Sequence, residues 1–128
     1  MYLLDTNVYI RHLTEAQKLP ERLQALLNSP GSQLFVSAAV PWEISIKCAK
    51  GNLPAGATLL PHYEASLLEL NIKELSFTGK HAMHAGQLPP IHRDPFDRLI
   101  IAQAQLESLT VLTLDSFFEP YGVAVITN

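Results

Sequence analysis

Five short strand-like segments, four of them apolar and a weaker one around IKELS, are separated by helical patterns and most strongly constrain the fold of this chain. Short apolar runs bounded by turn residues are typical of buried strands, and a helix between two strands provides the crossover that parallel pairing requires. The pattern predicts an α/β sandwich with a mostly parallel five-stranded sheet flanked by helices. The segments are YLL at 2–4, LFVS at 34–37, IKELS at 72–76, LTVLT at 109–113 and VAVI at 123–126.

Helical patterns fill the intervals between these strands. Leu23, Leu26 and Leu27 form one apolar stripe after Pro20, a residue suited to the first turn of a helix. Gly51 is predicted to close the third helix, because glycine readily adopts the left-handed conformation that follows a helix end. The predicted helices cover 7–13, 20–28, 38–53, 62–70, 79–87 and 94–107, and 54–61 is expected to be a loop.

The composition fits a single globular domain over residues 1–128, with 48% hydrophobic and 16% charged residues. The apolar runs are far shorter than the roughly 20 residues of a membrane-spanning helix, so no membrane segment is predicted. The opening MYLLDTN reaches an aspartate too early for a secretory signal, and we therefore expect a cytoplasmic protein. A net charge of −3 argues against binding duplex nucleic acid by a basic surface alone, but it does not exclude a metal-dependent nuclease.

All four aspartates of the chain follow a predicted strand or begin a predicted helix. Asp5 follows the first strand and Asp115 the fourth. If these two strands are neighbours, their carboxylates emerge at the same edge of the sheet, where α/β proteins bind ligands. Asp97 begins the apolar stripe of its helix, so its carboxylate points toward the protein and needs a cation, a donor or a metal.

Glu43 lies among apolar residues in the third helix and adds another acid from a separate element. Such acids can form an oxygen-rich pocket for Mg²⁺ or Mn²⁺. Zinc is disfavoured because thiolate and clustered imidazole ligands are missing, and His81 and His84 are expected to be surface or packing residues. Structural roles stay open for each acid alone: Asp5 can form a turn and Asp115 can cap a short helix.

The stretch HRDPFDR at 92–98 contains both a helix start and a candidate site. Asp94, Pro95 and Asp97 fit an N-cap, a first-turn proline and an acid at the third helical position. Asp94 is therefore predicted to begin the helix, and Asp97 to benefit from the positive end of its dipole. Whether Asp94 also binds a metal stays open.

In this order, LLDTN, PWEISIK, DPFDRLIIAQA and LTLD resemble the PIN-domain family, and within it the VapC-type ribonuclease toxins of bacterial and archaeal toxin–antitoxin pairs. The motifs span nearly the whole chain. The resemblance implies a three-layer PIN-like sandwich with strand order 3-2-1-4-5. It also implies a catalytic, metal-binding cluster of Asp5, Glu43, Asp97 and Asp115, with Asp94 a less secure ligand and with Thr6, Asn7, Thr113 and Ser116 in support.

The resemblance further implies an endoribonuclease that uses Mg²⁺ or Mn²⁺ on an RNA substrate, forms a homodimer and is silenced by a cognate antitoxin protein. Water as the nucleophile would leave a 5′-phosphate and a 3′-hydroxyl. Trp42 and Phe96 are candidate stacking surfaces for bases, although packing is the commoner role of such aromatics. Candidate contacts to the RNA backbone are Arg11, Lys47, Lys50, Arg93 and Arg98.

Other functions are weighed against this one. A phosphatase of the haloacid dehalogenase type would need a second aspartate two residues after Asp5, where the sequence has Asn7. A receiver-like phosphoacceptor domain would need a lysine after a late strand, where LTLDSF supplies an acid. The main alternative is a catalytically silent PIN-like binding module that acts through a protein or RNA partner.

Overall fold

The computed structural model describes residues 1–128 and contains one five-stranded sheet. Every neighbouring pair of strands is parallel, and the strand order is β3-β2-β1-β4-β5. The predicted parallel sheet and its strand order are therefore confirmed. The strands are β1 (Tyr2–Leu4), β2 (Leu34–Ser37), β3 (Ile72–Leu75), β4 (Thr110–Leu112) and β5 (Val125–Ile126).

Seven α-helices flank the sheet, as the interval patterns predict for six of them. Two short 3₁₀ helices cover Ala16–Lys18 and Ser116–Tyr121. The α-helices are α1 (Thr6–Thr14), α2 (Glu21–Asn28), α3 (Ala39–Ala49), α4 (Gly56–Leu59), α5 (Tyr63–Glu69), α6 (Gly79–Gln87) and α7 (Pro95–Glu107). None of these helices is both long enough and apolar enough to cross a membrane.

The central strand β1 fixes the core. Leu3 pairs in register with Phe35 on one side and Val111 on the other, and the side chains of Leu3 and Val111 are fully buried. A strand covered on both faces must be apolar throughout, which explains why these segments do not alternate with polar residues. The carboxyl end of β1 is consequently held rigidly between two neighbours.

The structure differs from the expectation most clearly in one added helix and in the end of the third helix. The predicted loop at 54–61 contains the four-residue helix α4, in which a Cβ on Gly56 would lie 2.8 Å from the Cβ of Cys48. Glycine therefore permits α4 to pack directly on α3. The third helix ends at Ala49, earlier than residue 53, and Gly51 follows it with φ +77°, the left-handed conformation predicted for its closing residue.

Candidate active site

The site lies where the strand order reverses. The chain proceeds from β1 outward through β2 to β3 and then returns to the other side of β1 with β4. Asp5 directly follows β1, and its backbone N–H donates to the carbonyl oxygen of Leu112 at the end of β4. Thr113 and Asp115 follow β4, so residues from both strands meet at the carboxyl edge, the usual ligand position in open α/β sheets.

Asp5 is the buried floor of this site. It is the N-cap of α1, with Oδ1 accepting from the N–H of Val8 at 2.8 Å and Oδ2 accepting from Thr113 Oγ1 at 2.5 Å. Burial, with smaller contributions from the charges of Asp97 and Asp115, raises the pKa of Asp5 to about 7 despite both hydrogen bonds. A cation beside Asp5 would relieve both effects.

Asp97 stands at the third position of α7, and Asp94 is the N-cap of that helix, as predicted. Asp94 Oδ1 accepts from the N–H groups of Phe96 and Asp97 at 2.8 and 3.1 Å. Burial, followed by the charge of Asp94, raises the pKa of Asp97 to about 6, while a hydrogen bond from His92 opposes the shift. Asp94 therefore begins the helix and also adds negative charge beside Asp97.

His92, Asp97 and Asp115 form the tightest group of potential ligands. One ligand atom from each lies within 4.8 Å of the others. His92 Nε2 is 2.7 Å from Asp97 Oδ2 and 3.9 Å from Asp115 Oδ2. Asp115 is also the N-cap of the second 3₁₀ helix, through a 2.8 Å hydrogen bond from the N–H of Phe117 to Oδ1. Its structural role and a ligand role through Oδ2 are thus compatible.

His92 is the residue that the sequence analysis missed. It opens the HRDPFDR stretch, but the sequence gives no sign that its ring turns back toward Asp97. What the sequence does show is that His92 lies five residues before Asp97, in a loop that leads directly into the helix. The predicted surface or packing roles of His81 and His84 agree with their contacts: His81 is buried in a capping box with Thr78, and His84 contacts Gln105 Oε1 at 2.7 Å.

Glu43 lies beside this group, and its charge is partly neutralised. Its Oε1 accepts a 2.5 Å hydrogen bond from Thr6 Oγ1, and its Oε2 accepts one of 2.5 Å from Lys47 Nζ. Burial alone would lower the pKa of Lys47, but the hydrogen bond and charge of Glu43 outweigh it and raise that pKa, with Asp94 and Asp97 adding to the effect. Lys47 therefore remains positively charged at the margin of the acids.

The four predicted supporting residues are divided between the buried acids and an exposed groove. Thr6 and Thr113 donate to site carboxylates, and Thr113 Oγ1 also accepts from the N–H of Asp115 at 2.9 Å. Asn7 and Ser116 are exposed and line an open groove beside Asp115. The groove encloses about 540 Å³ and is lined by Asn7, Ile10, Arg11, Thr14, Glu15, Leu53, Leu114, Asp115 and Ser116.

The basic residues predicted to contact the RNA backbone differ in whether their side chains are free to do so. Lys50 and Arg93 are exposed and make no side-chain hydrogen bond. Arg11 lines the groove near Asp115. Arg98, by contrast, donates to a set of backbone carbonyls in the preceding loop, which leaves its guanidinium little capacity for a phosphate. These carbonyls belong to Ala85, Gly86, Leu88, Pro89 and His92.

Exposed aromatic rings border the acids. Trp42 precedes Glu43 in α3 and is 53% exposed. Its ring meets Phe96 edge-on at 4.9 Å and stacks with Phe77 at 6.5 Å. Phe117 is 51% exposed and stacks on His92 at 5.1 Å. The acids therefore have flat apolar surfaces on more than one side.

The donor set fits a divalent cation. Asp97 Oδ1 and Asp115 Oδ2 receive no hydrogen bond, and burial and like charges disfavour the ionised forms of Asp5 and Asp97. Hard divalent ions take carboxylate oxygens at such positions and supply the opposing charge. Asp5, Asp97 and Asp115 would hold the ion, with Glu43 beside them.

The family follows from the sequence match as well as the geometry. Residues 2–123 match the PIN domain, and the chain belongs to this family. The predicted resemblance to the PIN-domain family is therefore confirmed. PIN domains are generally nucleases that use divalent metal ions, and membership of this family supports a hydrolase that acts on nucleic acid. No curated protein matches the chain significantly.

Several solved structures contain a chain of similar fold. The structure of FitAcB from Neisseria gonorrhoeae contains a chain with 30% identity and a TM-score of 0.71, covering 98% of this chain and 96% of that one. A chain of FitAB bound to an IR36 DNA fragment has 29% identity and a TM-score of 0.70, with 98% and 94% covered. VapBC2 from Rickettsia felis, bound to a promoter DNA fragment, shares the fold at 17% identity and a TM-score of 0.72, with 98% and 96% covered.

Proposed function

We propose that this chain is an endoribonuclease that hydrolyses RNA phosphodiester bonds with Mg²⁺ or Mn²⁺ and acts in the cytoplasm as the toxin of a toxin–antitoxin pair. The observation that carries the proposal is the convergence of Asp5, Asp97 and Asp115 at the reversal point of a PIN-domain sheet. Such acids, drawn from three separate elements, have no structural need to be adjacent. Their mutual repulsion is instead the expected cost of a cation site.

In this proposal Asp5, Glu43, Asp97 and Asp115 are the catalytic acids. A divalent ion bound there would supply Lewis-acid activation of a water and of the scissile phosphate. Thr113 keeps Asp5 oriented, and Thr6 does the same for Glu43. Asp94 contributes negative charge and caps α7, and its two hydrogen bonds to backbone N–H groups occupy Oδ1.

Contacts to the RNA backbone are assigned to the cations that are free to make them. Arg11 lies in the groove beside Asp115, Lys47 is 42% exposed next to Glu43, and Lys50 and Arg93 are exposed. Lys47 pairs with Glu43 through Nζ, and its side chain is still partly exposed. Arg98 is assigned to loop support instead, because its donors are occupied by carbonyls.

A cleavage assay tests the nuclease proposal directly. Purified protein is incubated with single-stranded RNA, hairpin RNA and single-stranded DNA, each with Mn²⁺, Mg²⁺ or EDTA. We expect metal-dependent RNA cleavage leaving 5′-phosphate ends, and loss of most activity in Asp97→Asn. Glu64→Gln on α5, an exposed acid outside the site, is the matched control and should cleave normally. Equal cleavage by wild type and Asp97→Asn would reveal a contaminating nuclease.

The toxin role is supported by the PIN domain of the chain and by its similarity to chains of FitAB and VapBC2. An antitoxin segment is proposed to occupy the groove beside Asp115, and two copies of the chain to associate as a homodimer. Induced expression in a bacterium lacking the partner should arrest growth, whereas expression of Asp97→Asn should not. Normal growth with abundant, folded wild-type protein would contradict the toxin role, and light scattering of the purified protein measures the dimer.

A further inference from the structure

His92 brings an imidazole nitrogen to the acidic site. Its Nε2 lies 2.7 Å from Asp97 Oδ2 and 3.9 Å from Asp115 Oδ2, and the group of three spans no more than 4.8 Å. An octahedral ion with ligand distances of about 2.1 Å places adjacent donors about 3 Å apart and opposite donors about 4.2 Å apart. The separations among the three residues therefore match donors around one ion after small side-chain adjustments.

Two contacts hold the backbone of His92, and a third restrains its ring. The backbone N–H donates to the hydroxyl of Tyr121 at 2.7 Å, and the carbonyl oxygen accepts from Arg98 at 3.2 Å. One ring face stacks on Phe117 with centroids 5.1 Å apart and an interplanar angle of 20°. With the backbone and one ring face held in this way, Nε2 lies toward the two carboxylates.

The two ring nitrogens of His92 have different surroundings. Nε2 faces Asp97 and Asp115, whereas Nδ1 makes no hydrogen bond within the chain. Without an ion, the Nε2–H group donates to Asp97, and the unpaired Nδ1 can carry the proton of the neutral imidazole instead when an ion binds at Nε2. This is the tautomer that an imidazole needs to bind a metal through Nε2.

We propose that His92 is a direct metal ligand through Nε2 and that it biases the site toward first-row transition ions such as Mn²⁺ over Mg²⁺. The proposal rests on the cation site of the proposed function and adds a nitrogen donor to its oxygen ligands. Mg²⁺ prefers an all-oxygen shell, whereas imidazole is a common ligand of transition ions. Replacing one oxygen ligand by nitrogen therefore changes the preference between Mn²⁺ and Mg²⁺ more than it changes the total charge of the ligands.

Pulsed electron paramagnetic resonance of bound Mn²⁺ tests this assignment without reference to activity. The wild-type protein should show ¹⁴N hyperfine coupling from a directly bound imidazole, and His92→Gln should lose it. Glutamine places an N–H donor near the position of Nε2, so it can keep the hydrogen bond to Asp97 while removing the imidazole. His84→Gln, which removes an imidazole that contacts Gln105, should retain the coupling.

Calorimetric titration provides the second readout. We expect His92→Gln to bind Mn²⁺ about tenfold more weakly, with little change for Mg²⁺, so the selectivity ratio falls by a similar factor. Mn²⁺ binding without nitrogen coupling, or an unchanged selectivity ratio in His92→Gln, would overturn the His92 assignment and leave the carboxylate site intact. Failure of the wild-type protein to bind Mn²⁺ or Mg²⁺ at all would overturn the cation site itself.

Discussion

Thr113 donates a 2.5 Å hydrogen bond to Asp5 across 108 positions of sequence, and this contact joins the ends of β1 and β4. The same hydroxyl oxygen accepts from the N–H of Asp115 at 2.9 Å. One fully buried threonine therefore sets the position of an acid on each strand. The pairing of β1 with β4 therefore determines how Asp5 and Asp115 are placed in the site.

Replacing Thr113 by valine tests whether the hydroxyl group of Thr113, and not its packing, positions the two acids. Valine keeps the volume but leaves Asp5 Oδ2 and the N–H of Asp115 without their partner, so we expect the free energy of unfolding to fall by about 1–3 kcal/mol. Mn²⁺ binding should weaken as well. Urea denaturation and calorimetry measure the two effects, and Thr110→Val at the start of β4 is the control. Equal losses in both variants would assign the effect to the strand in general.

Stability of the ion-free protein should depend on pH in an unusual direction. Burial raises the pKa of Asp5 to about 7 and of Asp97 to about 6, from an ordinary value of 3.8. Between about pH 4 and pH 7 the folded state therefore holds more protons than the unfolded state, and the free energy of unfolding falls as pH rises through this window. Above about pH 7 this proton-linked contribution is lost.

Urea denaturation in EDTA at several pH values checks this expectation. Wild type should be less stable near pH 8 than near pH 5, and Asp5→Asn should show a shallower slope because the asparagine does not titrate. Millimolar Mn²⁺ should restore stability near pH 8, since an ion that binds only the folded state favours it. Stability that rises with pH in both proteins would contradict the buried-acid origin of the slope.

The sheet was predictable because its central strands β1, β2 and β4 are mostly apolar and its crossovers are helical. Residues 54–61 were not, because α4 has only four residues and packs through Gly56 against Cys48, a contact that no local pattern encodes. Helix lengths and caps are local properties, so Asp94 could be assigned as the cap of α7. Packing of one helix on another is not a local property, so the pattern of residues 54–61 does not predict α4.

The site likewise has features that the sequence predicts and features that depend on contacts from elsewhere in the chain. The edge shared by Asp5 and Asp115 follows from topology alone, once β1 and β4 are neighbours. The orientation of His92 depends instead on Tyr121 and Arg98, which reach its backbone from outside the loop. The partners of Glu43 illustrate both cases, since Lys47 is four residues away on the same helix whereas Thr6 comes from α1.

Arg98 should be essential for the order of the loop that carries His92. Its guanidinium donates to the carbonyl oxygens of Ala85, Leu88 and His92 at 2.8, 2.8 and 3.2 Å. A lysine cannot reach several carbonyls at once, so Arg98→Lys should lower the free energy of unfolding by about 1–3 kcal/mol. Mn²⁺ affinity should fall too, because the restraint on His92 is lost. Calorimetry and urea denaturation measure both changes.

Arg93→Lys is the matched control for this prediction. Arg93 is exposed, makes no side-chain hydrogen bond and lies in the same stretch of sequence. The variant should retain wild-type stability and Mn²⁺ affinity. If Arg98→Lys behaves like Arg93→Lys in both measurements, the carbonyl contacts do not stabilise the loop, and Arg98 becomes available again as a phosphate contact.

Trp42 should report RNA binding beside the acids. It is the one tryptophan of the chain, and its half-exposed ring lies next to buried Glu43 in sequence. Stacking of an unpaired base on an aromatic ring is worth about 1–3 kcal/mol, so single-stranded RNA should quench the fluorescence of Trp42, and Trp42→Ala should weaken binding by a corresponding amount. Asp97→Asn serves as the background for these titrations, so that the RNA remains intact.

Two comparisons make the result specific to stacking. Met83→Ala removes another exposed apolar side chain, from α6, and should leave RNA affinity unchanged. Trp42→Phe keeps an aromatic face and should restore most of the affinity lost in Trp42→Ala, because stacking needs a flat ring and not an indole N–H. Equal binding by Trp42→Ala, Met83→Ala and the parent would show that bases do not contact this ring. The RNA would then follow the groove beside Asp115, where Arg11→Ala should weaken binding instead.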